Sequence, residues 1–112
     1  MKEADIVLTA IPQSDGSVKN RPALLLKFMP PFSDCLICGI SSQLHQEVVD
    51  FDEIIDLNHP DFQGSGLKTP PVIRLGFLTV IPKDKILGVI GQASQNTYNI
   101  LIQRLINYLS DD

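Results

Sequence analysis

The chain lacks the features that mark membrane and secreted proteins. Its 112 residues contain no apolar run close to the roughly 20 residues that span a bilayer. The N-terminal stretch MKEADIVLTAIPQ has two acids among its first five residues and no long apolar segment, which is unlike a secretory signal peptide. We therefore expect a cytoplasmic protein with no membrane association, and a length of this kind favours a single domain over residues 1–112.

An excess of positive charge is also missing. The net charge is −4 and the isoelectric point is about 4.9, so the chain as a whole has no electrostatic attraction for nucleic acid. Residues 47–61 hold much of the acid but lack the spacing of a calcium loop, so we expect a solvated strand edge there. The acids of this segment are Glu47, Asp50, Asp52, Glu53, Asp56 and Asp61. A local basic group remains at Lys19, Arg21 and Lys27.

Cysteine is scarce, since Cys35 and Cys38 are the only two. A structural zinc site needs four ligands, and no second pair exists. The surrounding CLICGI is apolar and typical of a strand, in which positions i and i+3 point to opposite faces. We therefore expect two small apolar core residues, and neither a metal site nor a cofactor.

What the chain does contain is a series of short apolar runs separated by proline and glycine. These predict about six strands, at residues 5–11, 22–28, 35–41, 72–75, 77–81 and 86–91. From Ser94 onward apolar residues recur at spacings of three and four, which predicts an amphipathic helix of about four turns that packs on the sheet, with Ser94 as N-cap. Its apolar positions are Tyr98, Leu101, Ile102, Leu105, Ile106 and Leu109. The pattern favours a mainly β fold, a small antiparallel barrel with a C-terminal helix.

Four stretches occur in an order and spacing typical of one family. They are DIVLTAIP (5–12), RPALLL (21–26), ISSQ (40–43) and SGLKTPPVIRLGFLTVIPK (65–83). Together they resemble the PemK/MazF toxins of type II toxin–antitoxin systems, over most of the chain. The resemblance implies an SH3-like barrel, usually homodimeric. It also implies a metal-independent endoribonuclease that cuts single-stranded RNA at short sequences and is held inactive by a cognate antitoxin protein.

The same resemblance implies the catalytic residues. Arg21 matches the arginine at the family's catalytic centre, and Ser41 matches a threonine or serine at the end of the third strand. RNA is cut without metal when its 2′-hydroxyl attacks the adjacent phosphate, which gives a 2′,3′-cyclic phosphate. A guanidinium offers a planar fork of donors that fits phosphate oxygens, so electrostatic stabilisation is the role we expect for Arg21. Pro22 fixes the backbone directly after it.

Residues beside these two supply the expected RNA contacts. Ser42 replaces Ser41 if the register is shifted by one residue, and the Gln43 amide can bond bases or backbone. Lys19 either contacts RNA phosphate or is simply solvated. Arg74, a charge inside the apolar run VIRLG, is expected to form a structural ion pair. Neither His45 nor His59 matches a catalytic position of the family.

Two non-enzymatic alternatives stay open. One is a gyrase-binding inhibitor like the CcdB toxins, which the acidic ending Ser110-Asp111-Asp112 disfavours because it has no aromatic tip. The other is a catalytically inactive binding module on the same fold. The low isoelectric point supports it, and so does the loop SDGSVKN before Arg21, which is shorter than in many RNA-cleaving members and has Asp15 as its only acid.

Overall fold

Six β-strands and one α-helix form the framework of the protein in a computed structural model that describes residues 1–12 and 15–111. The strands are β1 (Asp5–Pro12), β2 (Val18–Met29), β3 (Asp34–Ser41), β4 (Glu53–Ile54), β5 (Val72–Ile81) and β6 (Ile86–Gln92). The helix, α1, is Gln95–Ser110, and short 3₁₀ turns occupy Leu44–Gln46, Gln63–Ser65 and Lys83–Lys85. The predicted strands are confirmed with three differences: 72–75 and 77–81 belong to one strand, β2 begins at Val18 rather than at residue 22, and β4 was not predicted.

The strands form a single sheet in the order β4-β5-β3-β2-β1-β6, and each neighbouring pair is antiparallel. The ladder is open between its edge strands β4 and β6 within the described residues, so strand pairing does not close the predicted barrel. The turn at Gln63–Ser65, and not another strand, packs against β6, and the two backbones approach closely. A Cβ on Gly66, whose φ is +74°, would collide with the Ile90 carbonyl. The mainly β class with a C-terminal helix is confirmed.

Each face of the sheet carries a hydrophobic core. Alternate residues of the central strands point to opposite sides, so each central strand contributes apolar side chains to both cores. The larger core lies between the sheet and α1 and includes Leu24, Leu26, Ile73 and Leu101. We call this side the helix face. The smaller core lies on the other side and consists of Val7, Ala23, Leu25, Cys35 and Ile37. Apolar residues fill both sides of β2 and β3, which explains why these two strands read as continuous apolar runs.

The two cysteines lie on opposite sides of β3, as their spacing predicts. Cys38 belongs to the core under α1 and Cys35 to the smaller core. Both are buried free thiols. Burial, with a smaller contribution from the charge of Asp52, raises the pKa of Cys38 to about 12. The thiol is therefore protonated and inert at neutral pH, and the C-x-x-C sequence is a packing feature of the strand.

Helix α1 begins at the predicted cap. Ser94 Oγ accepts a hydrogen bond from the Thr97 N–H at 3.2 Å and donates to Asp61 Oδ2 at 3.1 Å. Tyr98 and Leu101 are buried against the sheet. The predicted packing of the apolar helix positions on the sheet is wrong for the C-terminal end of α1. Ile106 is 51% and Leu109 is 70% exposed there, because the helix extends past the sheet. Among the described residues, no helix combines the length and the apolar character needed to cross a membrane.

The acidic segment is only in part the solvated strand edge that we expected, since Asp50 and Asp56 are exposed but other acids are not. Asp52 is buried, and its carboxylate accepts hydrogen bonds from the Leu75 N–H at 2.9 Å and the Val48 N–H at 3.0 Å. Asp61 is also buried, beneath the start of α1. Glu53 forms an ion pair with Arg104 at 3.1 Å. These acids satisfy backbone donors and tie the loop and helix to the sheet, which composition alone does not distinguish from solvated charge.

Candidate active site

Arg21 lies on β2 directly opposite Thr9 of β1, at the point where the strand leaves the core. The next five residues, Pro22 to Leu26, become progressively buried, and Ala23 to Leu26 are inaccessible to solvent. Arg21 itself is exposed. Within residues 1–12 and 15–111, its guanidinium forms no ion pair and no side-chain hydrogen bond. Strand β2 therefore presents a cation whose donors have no protein acceptor among the described residues.

The neighbouring strand β1 is held firmly behind Arg21. Thr9 is fully buried, and its hydroxyl donates a hydrogen bond to the Lys85 carbonyl at 2.8 Å. This bond joins β1 to the turn between β5 and β6, so both partners of the Thr9–Arg21 pair belong to fixed structure. This contact was not predictable from local sequence, because Thr9 and Lys85 lie 76 positions apart.

Ser41 ends β3 and is half-buried. Its hydroxyl donates to Gln46 Oε1 at 2.7 Å and accepts from the Gln43 N–H at 3.0 Å. The Ser41 proton is thus directed to an amide of the following 3₁₀ turn, and rotation about one side-chain bond would redirect it to a ligand. Ser42 and Gln43 are both exposed beyond the strand. Gln46 was not anticipated, since nothing in the sequence distinguishes it from the other glutamines.

The register of the sheet brings Arg21 and Ser41 to the same place. The β2–β3 ladder ends with the pair Ala23↔Gly39, and each predicted residue lies two positions beyond it on its own strand. Directly opposite residues share a face of the sheet, and so do residues two apart. Arg21 and Ser41 therefore lie at the same end of adjacent strands, on the face away from α1. Lys19, also exposed, is two residues before Arg21 and shares this face.

Arg74 joins the group from the third strand. Its partner in the β3–β5 ladder is Gly39, so it lies on the same face as Ala23 and Arg21. The name arginine face is used below for the region, on the side of the sheet away from α1, that is formed by Lys19, Arg21, Gly39, Ser41 and Arg74. The predicted ion pair of Arg74 is wrong for the part of the chain that the structure describes. The four pairs found there join Lys2–Asp5, Lys27–Glu3, His59–Glu53 and Arg104–Glu53.

Acids of the strands lie away from the arginine face. Glu53 pairs with Ile73 in the sheet, on the helix face, where it binds Arg104. Asp34 begins β3, at the opposite end from Ser41. Asp5 lies at the far end of β1 from Thr9 and is bound to Lys2 at 2.8 Å. Burial alone would raise the pKa of Asp5, but the hydrogen bonds and charge of Lys2 lower it. The charged strand side chains of the arginine face are thus all cations, although the protein is acidic overall.

The remaining titratable candidates are engaged elsewhere. Asp15, the acid of the loop before Arg21, accepts hydrogen bonds from the Ser17 hydroxyl and N–H, and these lower its pKa. His59 Nδ1 accepts the Asp61 N–H at 3.0 Å, and its Nε2 lies 3.1 Å from Glu53, so its role is structural. His45 is exposed in the turn after β3. Among the described residues, no three His, Cys, Asp or Glu side chains are grouped to hold a metal.

Comparisons with known proteins agree with this architecture. The family model described as "PemK-like, MazF-like toxin of type II toxin-antitoxin system" matches residues 2–109. The solved structure of the Mycobacterium tuberculosis toxin MazF-mt6 superposes with a TM-score of 0.69 and 20% sequence identity, over 96% of this chain and 98% of that one, which shows a shared fold. No curated protein sequence matches the chain significantly. The match over nearly the whole sequence means that the chain belongs to the PemK-like, MazF-like toxins of type II toxin–antitoxin systems.

Proposed function

We propose that this toxin is a metal-independent endoribonuclease of single-stranded RNA, acting in the cytoplasm, with Arg21 as its central catalytic residue. The observation that carries the proposal is the placement of Arg21. Its guanidinium is exposed and unpaired within the described residues, it sits on a fixed strand, and the register brings it beside Ser41. An arginine whose role were only structural would be expected to bind a neighbouring carboxylate, as Arg104 does.

The proposed reaction is an in-line attack of the RNA 2′-hydroxyl on the adjacent phosphorus. The 2′-oxygen–phosphorus bond forms and the bond to the 5′-oxygen breaks, which leaves a 2′,3′-cyclic phosphate and a 5′-hydroxyl. Solvent water accepts the proton of the attacking hydroxyl and supplies one to the departing oxygen. Negative charge builds on the phosphate oxygens in the transition state, and Arg21 stabilises it with charge and paired N–H donors.

Ser41 and its neighbours complete the proposed site. The Ser41 hydroxyl donates to a phosphate oxygen after turning away from Gln46. Lys19 contacts an adjacent phosphate, and the exposed Ser42 and Gln43 contact the strand where it passes the end of β3. These roles use no cofactor. All five residues lie on the arginine face or on the turn that follows β3.

The test is cleavage of a long single-stranded RNA in EDTA by wild type, Arg21→Ala, Arg21→Lys and the surface control Lys68→Ala. We expect fragments that end in 2′,3′-cyclic phosphate, a loss on the order of 1,000-fold for Arg21→Ala, and only partial rescue by lysine, which lacks the planar fork. Lys68→Ala should cut at the wild-type rate. Absence of cleavage by folded wild type would contradict the proposal and favour the binding-module or gyrase-binding alternatives.

A type II toxin has a cognate antitoxin as its partner, and we further propose that this one is a homodimer. The support is exposed apolar surface on the edge strand β6 and at the end of α1. The side chains concerned are Leu87, Val89, Ile106 and Leu109, which are between 49% and 70% exposed. Sedimentation equilibrium of the toxin alone should give twice the mass of 12.4 kDa. A monomer across micromolar concentrations would contradict this part of the proposal.

A further inference from the structure

The β3–β5 ladder contains an irregularity beside Arg21 and Ser41 that the proposed chemistry does not use. Cys38 pairs with Leu78, but the next residue, Gly39, pairs with Arg74, so residues 75–77 are extra on β5. Bulges of this kind bend a strand and re-aim its side chains, and they are frequent next to active sites. Here Leu75 enters the core under α1, while Phe77 is turned to the opposite side of the sheet.

Phe77 packs beside Gly39, a position of the sheet that has no side chain. A Cβ placed on Gly39 would be 2.9 Å from Cδ1 and 3.2 Å from Cγ of the Phe77 ring. The ring therefore occupies the space that a side chain at position 39 would take, on the arginine face. Phe77 remains 39% exposed. Within the described residues the aromatic pair in contact is Phe51–Tyr108, on the helix face, with its rings tilted by 44°. The Phe77 ring is thus packed at Gly39 and still partly open to solvent.

The surroundings of this ring fit an unpaired nucleotide. Arg74 is the direct partner of Gly39, while Arg21 and Ser41 lie two positions beyond Gly39 and its β2 partner Ala23. Proteins commonly bind single-stranded nucleic acid with an aromatic ring that has cationic side chains beside it, and the strand acids lie elsewhere here. Bases stack on the ring, and the phosphates between them contact the cations.

We propose that Phe77 and Gly39 form a base-stacking platform, and that Arg74 contacts the phosphate of the nucleotide stacked there. This inference rests on the proposed ribonuclease function and assigns the subsite that would hold a base next to the cleaved bond. Stacking tolerates every base, so the platform contributes affinity and position rather than sequence choice.

The test is fluorescence titration of a short 2′-O-methyl RNA that contains 2-aminopurine, since this strand lacks the attacking hydroxyl and cannot be cut. Wild type should quench the fluorescence on binding. Phe77→Leu should remove the quenching and weaken binding roughly 5- to 150-fold, which corresponds to one lost stack. Phe32→Leu is the matched control, because Phe32 is 80% exposed in the β2–β3 turn. It should behave as wild type.

Two further variants keep the test independent of the folding of Phe77→Leu. Gly39→Ala inserts a methyl group where the ring now rests, and it should reduce quenching by displacing Phe77. Arg74→Gln should lower the slope of log affinity against log salt by about 0.7, the value for one phosphate contact on a single strand, whereas Lys68→Gln should leave it unchanged.

The outcomes separate the two proposals. If wild type cuts and binds RNA but Phe77→Leu quenches and binds equally well, the platform is wrong while the ribonuclease stands. If folded wild type neither cuts RNA nor binds the 2-aminopurine strand, both proposals fall. Normal quenching by Gly39→Ala would also overturn the platform.

Discussion

The hydroxyl of Ser41 differs from the guanidinium of Arg21 in one respect that matters for the proposed reaction. The Ser41 proton is already donated to Gln46 at 2.7 Å, whereas the Arg21 donors have no acceptor within the described residues. A ligand phosphate must therefore compete with Gln46 for the serine. A charged acceptor makes the stronger hydrogen bond, so phosphate is favoured once RNA is bound. Gln46 then acts as a positioning residue that holds the hydroxyl ready.

Substitution of Ser41 tests this residue-scale role. Ser41→Ala should slow RNA cleavage roughly 100-fold, since one donor to the developing charge is lost. Ser41→Thr retains the hydroxyl and should restore most of the rate. Ser42→Ala loses only a contact to the RNA strand beyond β3 and should cut within a few-fold of wild type. Single-turnover cleavage measures all three. A larger loss in Ser42→Ala than in Ser41→Ala would show that the two serines exchange roles.

Asp61 provides a residue-scale prediction about stability and pH. Burial alone would raise its pKa, but hydrogen bonds from Ser94 and Thr97 and the charge of His59 lower it below the usual 3.8. A lowered pKa means that the ionised carboxylate stabilises the fold above about pH 4, and that this stabilisation is lost as the pH falls through the folded-state pKa.

Asp61→Asn should accordingly lower the unfolding free energy at pH 7 by on the order of 1–3 kcal/mol. The reason is that the N–H and the hydroxyl of Ser94, at the start of α1, lose a charged acceptor. The difference from wild type should shrink at pH 3. Urea unfolding at both pH values measures it, with the exposed Asp84→Asn as control. A difference of equal size at pH 3 and pH 7 would show that the charge of Asp61 is not what matters.

At the scale of elements, the bulge in β5 depends on an acid from another part of the chain. The Leu75 N–H, freed from the ladder by the extra residues, donates instead to Asp52 Oδ1 at 2.9 Å. The other oxygen of Asp52 accepts the Val48 N–H. This buried carboxylate takes over the hydrogen bonding that the sheet gives up at the bulge, and it thereby fixes the strand segment that turns Phe77 onto Gly39.

Asp52→Ala should leave the buried Leu75 N–H and the part-buried Val48 N–H without their acceptor and destabilise the fold by roughly 2–4 kcal/mol. It should also weaken quenching of the 2-aminopurine strand, since the bulge that aims Phe77 is no longer held. Thermal unfolding and the titration described above measure the two effects, with Asp84→Ala as the exposed comparison. Full stability in Asp52→Ala would mean that water replaces the carboxylate without cost.

The strands and helix were predictable because each carries its own periodic pattern, but the arrangement of the site was not. Ser94 and the C-x-x-C faces follow from local rules of capping and alternation. The bulge at residues 75–77 does not, because it depends on Asp52, which lies 23 positions away from Leu75. Extra residues in a strand shift the alternation after them, so sequence reasoning missed Phe77. It also expected an ion pair for Arg74 that the described residues do not contain. Arg21 and Ser41 came from family resemblance rather than from pattern.

At the scale of the whole molecule, the net charge of −4 conceals a separation of charge. Cations Lys19, Arg21 and Arg74 lie on the arginine face, while the strand acid Glu53 is bound on the helix face. Interactions between exposed charges are screened beyond roughly 8 Å at physiological salt, so a strand of RNA experiences mainly the face that it contacts. An acidic isoelectric point is therefore compatible with the proposed RNA site.

Two lysine substitutions with the same effect on net charge test this separation. Lys19→Gln removes a cation from the arginine face, while Lys27→Gln removes one that is paired with Glu3 at 3.2 Å on the helix face. If RNA binding depends on where the charge lies, Lys19→Gln should weaken binding of the 2′-O-methyl strand at low salt. It should also reduce the slope of log affinity against log salt by about 0.7, and Lys27→Gln should change neither quantity. Equal weakening by both substitutions would mean that the overall field of the protein, and not the arginine face, attracts RNA.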